Sequence, residues 1–374
     1  KGRIAAAVEA MNSSGGQIVP PVMGAGAFLM AEILHQPYST VCLAAVIPAL
    51  LYFASAYWMI DLYAAAEGLR GLTREEVPVF SRIMRAKGYL LIPLVIVLVC
   101  LMVLMMSAYR SALYGIIALI AASWIGRENR LGVKAVAVTL SKGARGAMEI
   151  IATCAAAGII VGVLTQTGLG QKFAMIIFEY SRGSLLLALV FTMIIAIVLG
   201  MGMPTTAAYA ISASVLAPAL VREFQVVPMA AHLFIFYYAC LSALTPPVAL
   251  AAFAAAAIAG ERPWAVGFQS MRFAVAGFII PFMFVYGPAM LLQGTAWEIA
   301  AAVITGLLGT LALAAAAQGW LLQRLSWLQR AVMLASALAL IKPGWITDLI
   351  GLALLAFIAG WQWLTHERSS SGLT

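Results

Sequence analysis

Leu199-Gly200-Met201-Gly202-Met203-Pro204-Thr205-Thr206-Ala207 is a polar patch of weakened backbone set between two long apolar runs. Gly200 and Gly202 relax the chain, Pro204 removes an amide donor, and two threonines bring hydroxyls where lipid could satisfy none of them. At membrane depth such backbone persists only where it lines a cavity or a binding site. A kink in an ordinary spanning helix explains one such patch equally well, so the decision turns on whether the chain repeats the device.

The flanking composition sets the stage. With 64% hydrophobic and 10% charged residues and a mean hydropathy of +1.01, the chain is an integral membrane protein. Since a spanning helix takes about 20 apolar residues, there is room for roughly ten crossings or half-crossings of a lipid bilayer. The net charge of +8 sits in loops, where orientation signals belong, and is not a nucleic-acid footprint. Cys42, Cys100, Cys154 and Cys240 are dispersed in apolar segments and read as small core residues, neither a disulfide framework nor a metal site. The opening Lys1-Gly2-Arg3 runs almost at once into apolar sequence, so a piece of a longer polypeptide lacking its N-terminal portion is expected.

Outward from the patch, Ser184 to Leu199 and Thr205 to Val221 are apolar arms with no charged loop between them, which predicts a re-entrant hairpin over 184–222. Downstream, the segment His232 to Ile258 is interrupted at Ser242-Ala243-Leu244-Thr245-Pro246-Pro247, a broken helix over 228–259. Upstream, Ile4 to Leu34 is interrupted by Asn12-Ser13-Ser14-Gly15-Gly16-Gln17-Ile18-Val19-Pro20-Pro21, a second broken helix. Between them come a span from Cys42 to Tyr63 with Tyr52, Tyr57, Trp58 and Tyr63 as an aromatic belt, and a hairpin from Tyr89 to Ile125 turning at Ala108 to Arg110. Loops with Arg70, Arg74, Arg82, Arg85 and Lys87, and with Arg127, Arg130, Lys134, Lys142 and Arg145, bracket that hairpin; the positive-inside rule makes both cytoplasmic. Ala147 to Leu164 then crosses outward, Lys172 to Tyr180 lies at the interface, Trp264 to Leu292 crosses outward and Ala296 to Leu321 inward. Val332 to Ile341 and Trp345 to Leu364 form either a hairpin or a tilted pair. The expected divisions are 1–41 (first broken helix), 42–146 (scaffold), 147–263 (hairpin and second broken helix) and 264–374 (C-terminal membrane helices).

By this topology the first broken helix runs outward and the second inward, an inverted repeat of the kind from which many secondary transporters are built. Half-helix N-termini suit an anionic substrate, while carbonyls freed by prolines and nearby hydroxyls can coordinate Na⁺. The candidate substrate contacts are Ser14, Gly15, Gly16, Gln17, Thr205, Thr206 and Ser242. Candidate Na⁺ ligands, through carbonyl or hydroxyl, are Ser13, Pro20, Gly200, Gly202, Thr205 and Thr245. None of the three patches contains Asp or Glu, which favours Na⁺ coupling over a proton relay.

Gly200-Met201-Gly202-Met203-Pro204-Thr205-Thr206-Ala207-Ala208-Tyr209, Ser14 to Gly24 and Leu244-Thr245-Pro246-Pro247-Val248-Ala249-Leu250 together resemble the large membrane subunit of tripartite ATP-independent periplasmic (TRAP) transporters. The likeness is strongest to fused permeases that work with TAXI-type binding proteins. It implies an all-α polytopic membrane protein of the bacterial inner membrane, built as an inverted-repeat, elevator-type secondary transporter with re-entrant hairpin and broken helices. It further implies a periplasmic solute-binding protein of TAXI type delivering a small carboxylate-bearing solute, with Na⁺ as coupling ion and no cofactor. An upstream hairpin and the fused small subunit would precede the first broken helix. A self-sufficient ion-coupled organic-anion symporter or channel is the alternative.

Other features carry less. His35, His232 and His366 have no ligand spacing, and no H-E-x-x-H, G-x-S-x-G or P-loop pattern occurs, so enzyme classes find no support. Glu32, Asp61, Glu149 and Asp348 fall near expected helix ends, and Glu9 lies about two turns before the first break. Arg272 is expected to snorkel, Arg182 and Arg222 to sit at the outer ends of the hairpin arms, and Phe234, Phe236, Tyr237 and Tyr238 to pack.

Overall fold

Apolar runs punctuated by proline and glycine fold entirely as helix: the described residues carry seventeen α-helices and one isolated bridge, Trp320 to Arg324. The computed structural model describes residues 1–69, 71, 79–125, 130–341 and 344–371. Arg70, Arg74, Arg127 and Lys342 of the expected loops lie outside them, as do the side chains of Glu149 and His366.

The first broken helix is α1 (Gly2–Gly16) and α2 (Ala25–Leu34), followed by α3 (Tyr38–Ala66). α4 (Phe80–Lys87) and α5 (Ile92–Leu98) lead to α6 (Ala108–Ser123), then α7 (Val133–Gln166) and α8 (Leu169–Ser181). The hairpin is α9 (Leu185–Gly200) and α10 (Thr205–Pro218); the second broken helix is α11 (Pro228–Leu241) and α12 (Leu250–Ala259). α13 (Pro263–Phe273), α14 (Ile280–Tyr286), α15 (Ala296–Gln318), α16 (Trp327–Ile341) and α17 (Trp345–Ser371) complete the chain. Four helices among the described residues are long and apolar enough to cross a membrane, or six if two bent pairs each count as one span.

Both breaks share one backbone pattern. Pro20-Pro21 and Pro246-Pro247 are cis, and the residue two beyond each pair, Met23 or Ala249, has positive φ (51° and 28°). In the first, Val19 N–H donates to Gly16 O (3.4 Å) and Met23 N–H to Val19 O (3.0 Å); in the second, Thr245 N–H donates to Ser242 O (3.2 Å) and Ala249 N–H to Thr245 O (3.3 Å). Each then restarts as a helix of 10 residues. The prolines can donate no amide hydrogen, so the chain closes these turns around them. Packing is crossed: α1 lies against α12 and α13, while α2 lies against α10 and α11. The first half of one broken helix therefore sits beside the second half of the other, which is what antiparallel neighbours do. Ala6, Ala7 and Ala10 of α1 and Ala252 and Ala256 of α12 are buried, small side chains that let helices in lipid approach closely.

Contacts at the helix ends agree with alternation across a bilayer. Lys1 Nζ pairs with Glu67 (2.9 Å), and Arg3 N–H donates to Glu261 (3.0 Å), so the start of α1, the end of α3 and the α12–α13 connection share one end of the molecule.

Several expectations are corrected. The turn before α6 lies at 104–107, with Ala108 to Arg110 already helical, because Met105 takes positive φ and Ser107 is extended at the N-cap. Lys134, Lys142 and Arg145 stand on α7 and not in a loop: that helix runs 34 residues with no proline to stop it. Trp264 to Leu292 is no single straight helix; α13 and the segment reaching α14 meet at 69°, and beyond the bend Gly277 packs its bare Cα on Tyr52 and Leu241 and Pro281 begins the next helix. Tyr52 belongs to no aromatic belt: it is 2% exposed and donates to Met11 O (3.0 Å). Cys154 is exposed while the other three cysteines are buried.

Candidate functional site

The hairpin tip and the second break are pressed together. A Cβ on Gly200 would lie 2.5 Å from Ser242 Oγ and 2.8 Å from its Cβ, a space only glycine leaves open. Gly202, at φ 76°, faces Val248, the residue after the second Pro-Pro. Ser242 Oγ–H donates to Ala239 O and Thr245 Oγ1–H to Leu241 O, both at 2.8 Å. With their protons engaged on the preceding turn, both buried hydroxyls keep lone pairs for a ligand. Gly200, Gly202, Ser242 and Thr245 thus fall into one seam.

The first break is tied elsewhere. Tyr38 OH, at the start of α3, reaches the carbonyls of Pro21 (2.9 Å) and Val22 (3.0 Å), and its ring stacks on Phe28 at 4.0 Å between centroids. Ser14 is buried with its Oγ unpartnered among the described residues, and Gly15 abuts the Tyr52 ring. Ser13 and Gly16 are exposed, Gln17 and Pro20 partly so, and Gln17 folds its side chain over Gly24.

A cavity of about 1400 Å³ opens between α2, the start of α3, the turn before α6, α7, α10 and the start of α11. Its walls include Glu32, Tyr38, Tyr109, Arg222 and His232. Ala25 and Thr206, which also line it, stand in the first turns of α2 and α10, so two half-helix N-termini face the cavity. Unpaired N–H groups and partial positive charge gather at such ends. Of the candidate substrate and Na⁺ residues, Thr206 alone lines this space; Thr205 is its partly exposed neighbour.

Sequence reading passed over two anchors. Tyr38 seals the first break from 17 residues away, and Tyr209 OH meets His232 Nδ1 at 2.7 Å, joining α10 to α11 beside the cavity. His232 is buried; its partner carried no local signal. Phe234, Phe236, Tyr237 and Tyr238 are buried as expected. Arg272 does more than snorkel: it holds the end of α15 through Ala317 O.

Helices broken at matching prolines, a glycine-tipped hairpin and a cavity ending on helix N-termini define a multi-pass membrane permease. A family model for the DctM component of tripartite ATP-independent periplasmic transporters matches residues 1–299, and the chain belongs to that family. Membership implies a periplasmic solute-binding protein and a small permease as partners. A second model, described as a domain of unknown function, matches residues 299–356, from α15 into α17. No curated protein matches the chain.

Proposed function

We propose that the chain is the membrane subunit of a Na⁺-coupled, binding-protein-dependent importer of a small carboxylate-bearing solute in the bacterial inner membrane. The observation that carries this reading is the cavity whose lining includes the first turns of α2 and α10. A carboxylate there would meet the unpaired N–H groups and partial positive charge of two helix N-termini. The charge pattern puts the C-terminal ends of α2 and α10, where Gln36 and Arg222 also line the cavity, on the outside, where a soluble partner of TAXI type would deliver its cargo. Na⁺ is assigned to the seam of hairpin tip and second break, through Gly200 and Gly202 carbonyls and the Thr245 hydroxyl. Thr205, Ser13 and Pro20 are assigned as further ligands. Ser14, Gly15, Gly16, Gln17, Thr205, Thr206 and Ser242 are assigned to the solute. Closure of these elements around the solute and their joint movement against α3 to α6 is elevator transport.

The test is uptake of labelled small carboxylates by proteoliposomes holding the intact transporter and its small permease, with and without the binding protein. Uptake should require an inward Na⁺ gradient and the binding protein. Uptake driven by a proton gradient in Na⁺-free buffer would overturn the coupling assignment, and uptake of free solute without the binding protein would favour the self-sufficient carrier.

A further inference from the structure

Among the described residues, the C-terminal end of α15 gathers more positive charge than its neighbours answer. Arg272 of α13 donates to Ala317 O from Nε (3.3 Å) and Nη2 (2.9 Å). Arg330 of α16 donates from Nε to Ala316 O (2.9 Å) and from Nη2 to the same Ala317 O (3.2 Å). Two guanidinium groups thus converge on one carbonyl oxygen, and among the described residues neither meets a carboxylate within ion-pair distance. A helix C-terminus offers about half a negative charge, so even the ends of α13 and α15 together leave about one positive charge uncompensated. Capping one helix end asks for one cation; the second needs another partner.

Space and surroundings indicate which. Gly319, at φ 70°, leaves open the position beside Arg330, where a Cβ would come within 3.3 Å of Cζ and Nη1. Trp327 is 83% exposed and carries the Arg330 guanidinium 4.8 Å from its ring centroid, while Leu322 and Leu328 are also exposed. Gln318 Nε2–H donates to Met59 O (3.1 Å), seven residues before the end of α3. The pair therefore sits about 10 Å in from that helix end, near the headgroup level of a bilayer. Tryptophan is the side chain enriched there, and paired guanidiniums match phosphate oxygens in geometry.

We infer that Arg272 and Arg330, with Gly319 and Trp327, form a site for the monoanionic phosphodiester of a membrane phospholipid. The bound lipid completes the charge at the α13–α15–α16 junction and fastens the C-terminal helices to the body of the transporter in the leaflet that faces the basic loops.

The full chain, purified in mild detergent and stripped of lipid, is titrated with phosphatidylglycerol or with inorganic phosphate, and retained ligand is counted by native mass spectrometry. Wild-type protein should hold one phosphatidylglycerol molecule that Arg272→Gln weakens about tenfold, the loss expected for a charge-assisted contact. Because either glutamine variant also strips carbonyls at the end of α15, Arg330→Lys serves as the second variant; it keeps the charge, loses the fork and should give an intermediate loss. Equal retention by wild type and both variants would overturn the site. Retention of inorganic phosphate at the same concentration and with the same variant pattern as the lipid would overturn the lipid assignment.

Discussion

Gly200→Ala measures how tightly the hairpin tip is seated. The new methyl would stand 2.8 Å from Ser242 Cβ and 2.5 Å from its Oγ, and rotating the Ser242 hydroxyl away breaks its bond to Ala239 O without moving Cβ. Relief requires the tip to back away by roughly half an ångström, which forfeits a quarter to a half of each contact along the seam. Overpacking of this kind costs about 1–3 kcal/mol, against at most about 1 kcal/mol gained from alanine's better helix propensity. The expected net loss is thus about 1–2 kcal/mol. Thermal unfolding of the detergent-purified chain reads it, with Gly16→Ala as control, since a Cβ there meets nothing within 4 Å. Gly200→Ala should unfold well below wild type and Gly16→Ala at or above it. Ser242→Gly removes both clashing atoms, so the double variant should recover most of the loss. Gly200→Ala as stable as wild type, or no recovery in the double variant, would refute the close seating of tip and break.

Tyr38→Phe removes the donor to Pro21 O and Val22 O; it should cost about 1–3 kcal/mol and raise amide exchange over 17–24. Tyr209→Phe leaves His232 without its partner across α10 and α11 and should destabilise by about 1–2 kcal/mol, read by the same unfolding assay. Thr205→Ala or Thr245→Ala should weaken Na⁺-dependent uptake at unchanged expression. Lys1 holds the Glu67 carboxyl below its ordinary value of 4.5. Its contribution is therefore whole above that value and is lost as pH falls through the lowered folded-state pKa. Glu67→Gln should flatten the acid limb of stability against pH and leave stability at neutral pH nearly unchanged, because both groups are exposed.

The breaks were legible because proline, glycine and hydroxyl residues are costly in an apolar helix wherever they occur. That logic placed the tip at Gly200 to Thr206 and both Pro-Pro turns without reference to any distant contact. It failed where the decisive partner is remote. Tyr52 has the look of a belt residue, yet it is drawn inward by Met11 O and the bare Gly15 and Gly277. The basic residues in the first turns of α7 look like a loop, yet charge alone does not end a helix, and 133–142 contains neither proline nor glycine. Residues 263–286 average to one apolar span, and no hydropathy window registers the 69° bend within them. The solute-side residues were only half legible: Thr206 reaches the cavity, whereas Tyr38, Tyr109 and His232 are brought to its wall from separate helices.

The crossed packing of the two broken helices bears on how the chain is made. α1 rests on α12 and α13, and α2 on α10 and α11, so the first broken helix has its covering partners roughly 200 residues downstream. At ordinary synthesis speeds of about 5–20 residues per second, its open turn waits roughly 10 to 40 s for them. During that interval the buried hydroxyl of Ser14 and the carbonyls of Pro21 and Val22 must be shielded by something other than their final neighbours. Tyr38, only 17 residues from Pro21, is made early enough to supply part of that cover, so a residue that seals the finished break can also guard it during insertion.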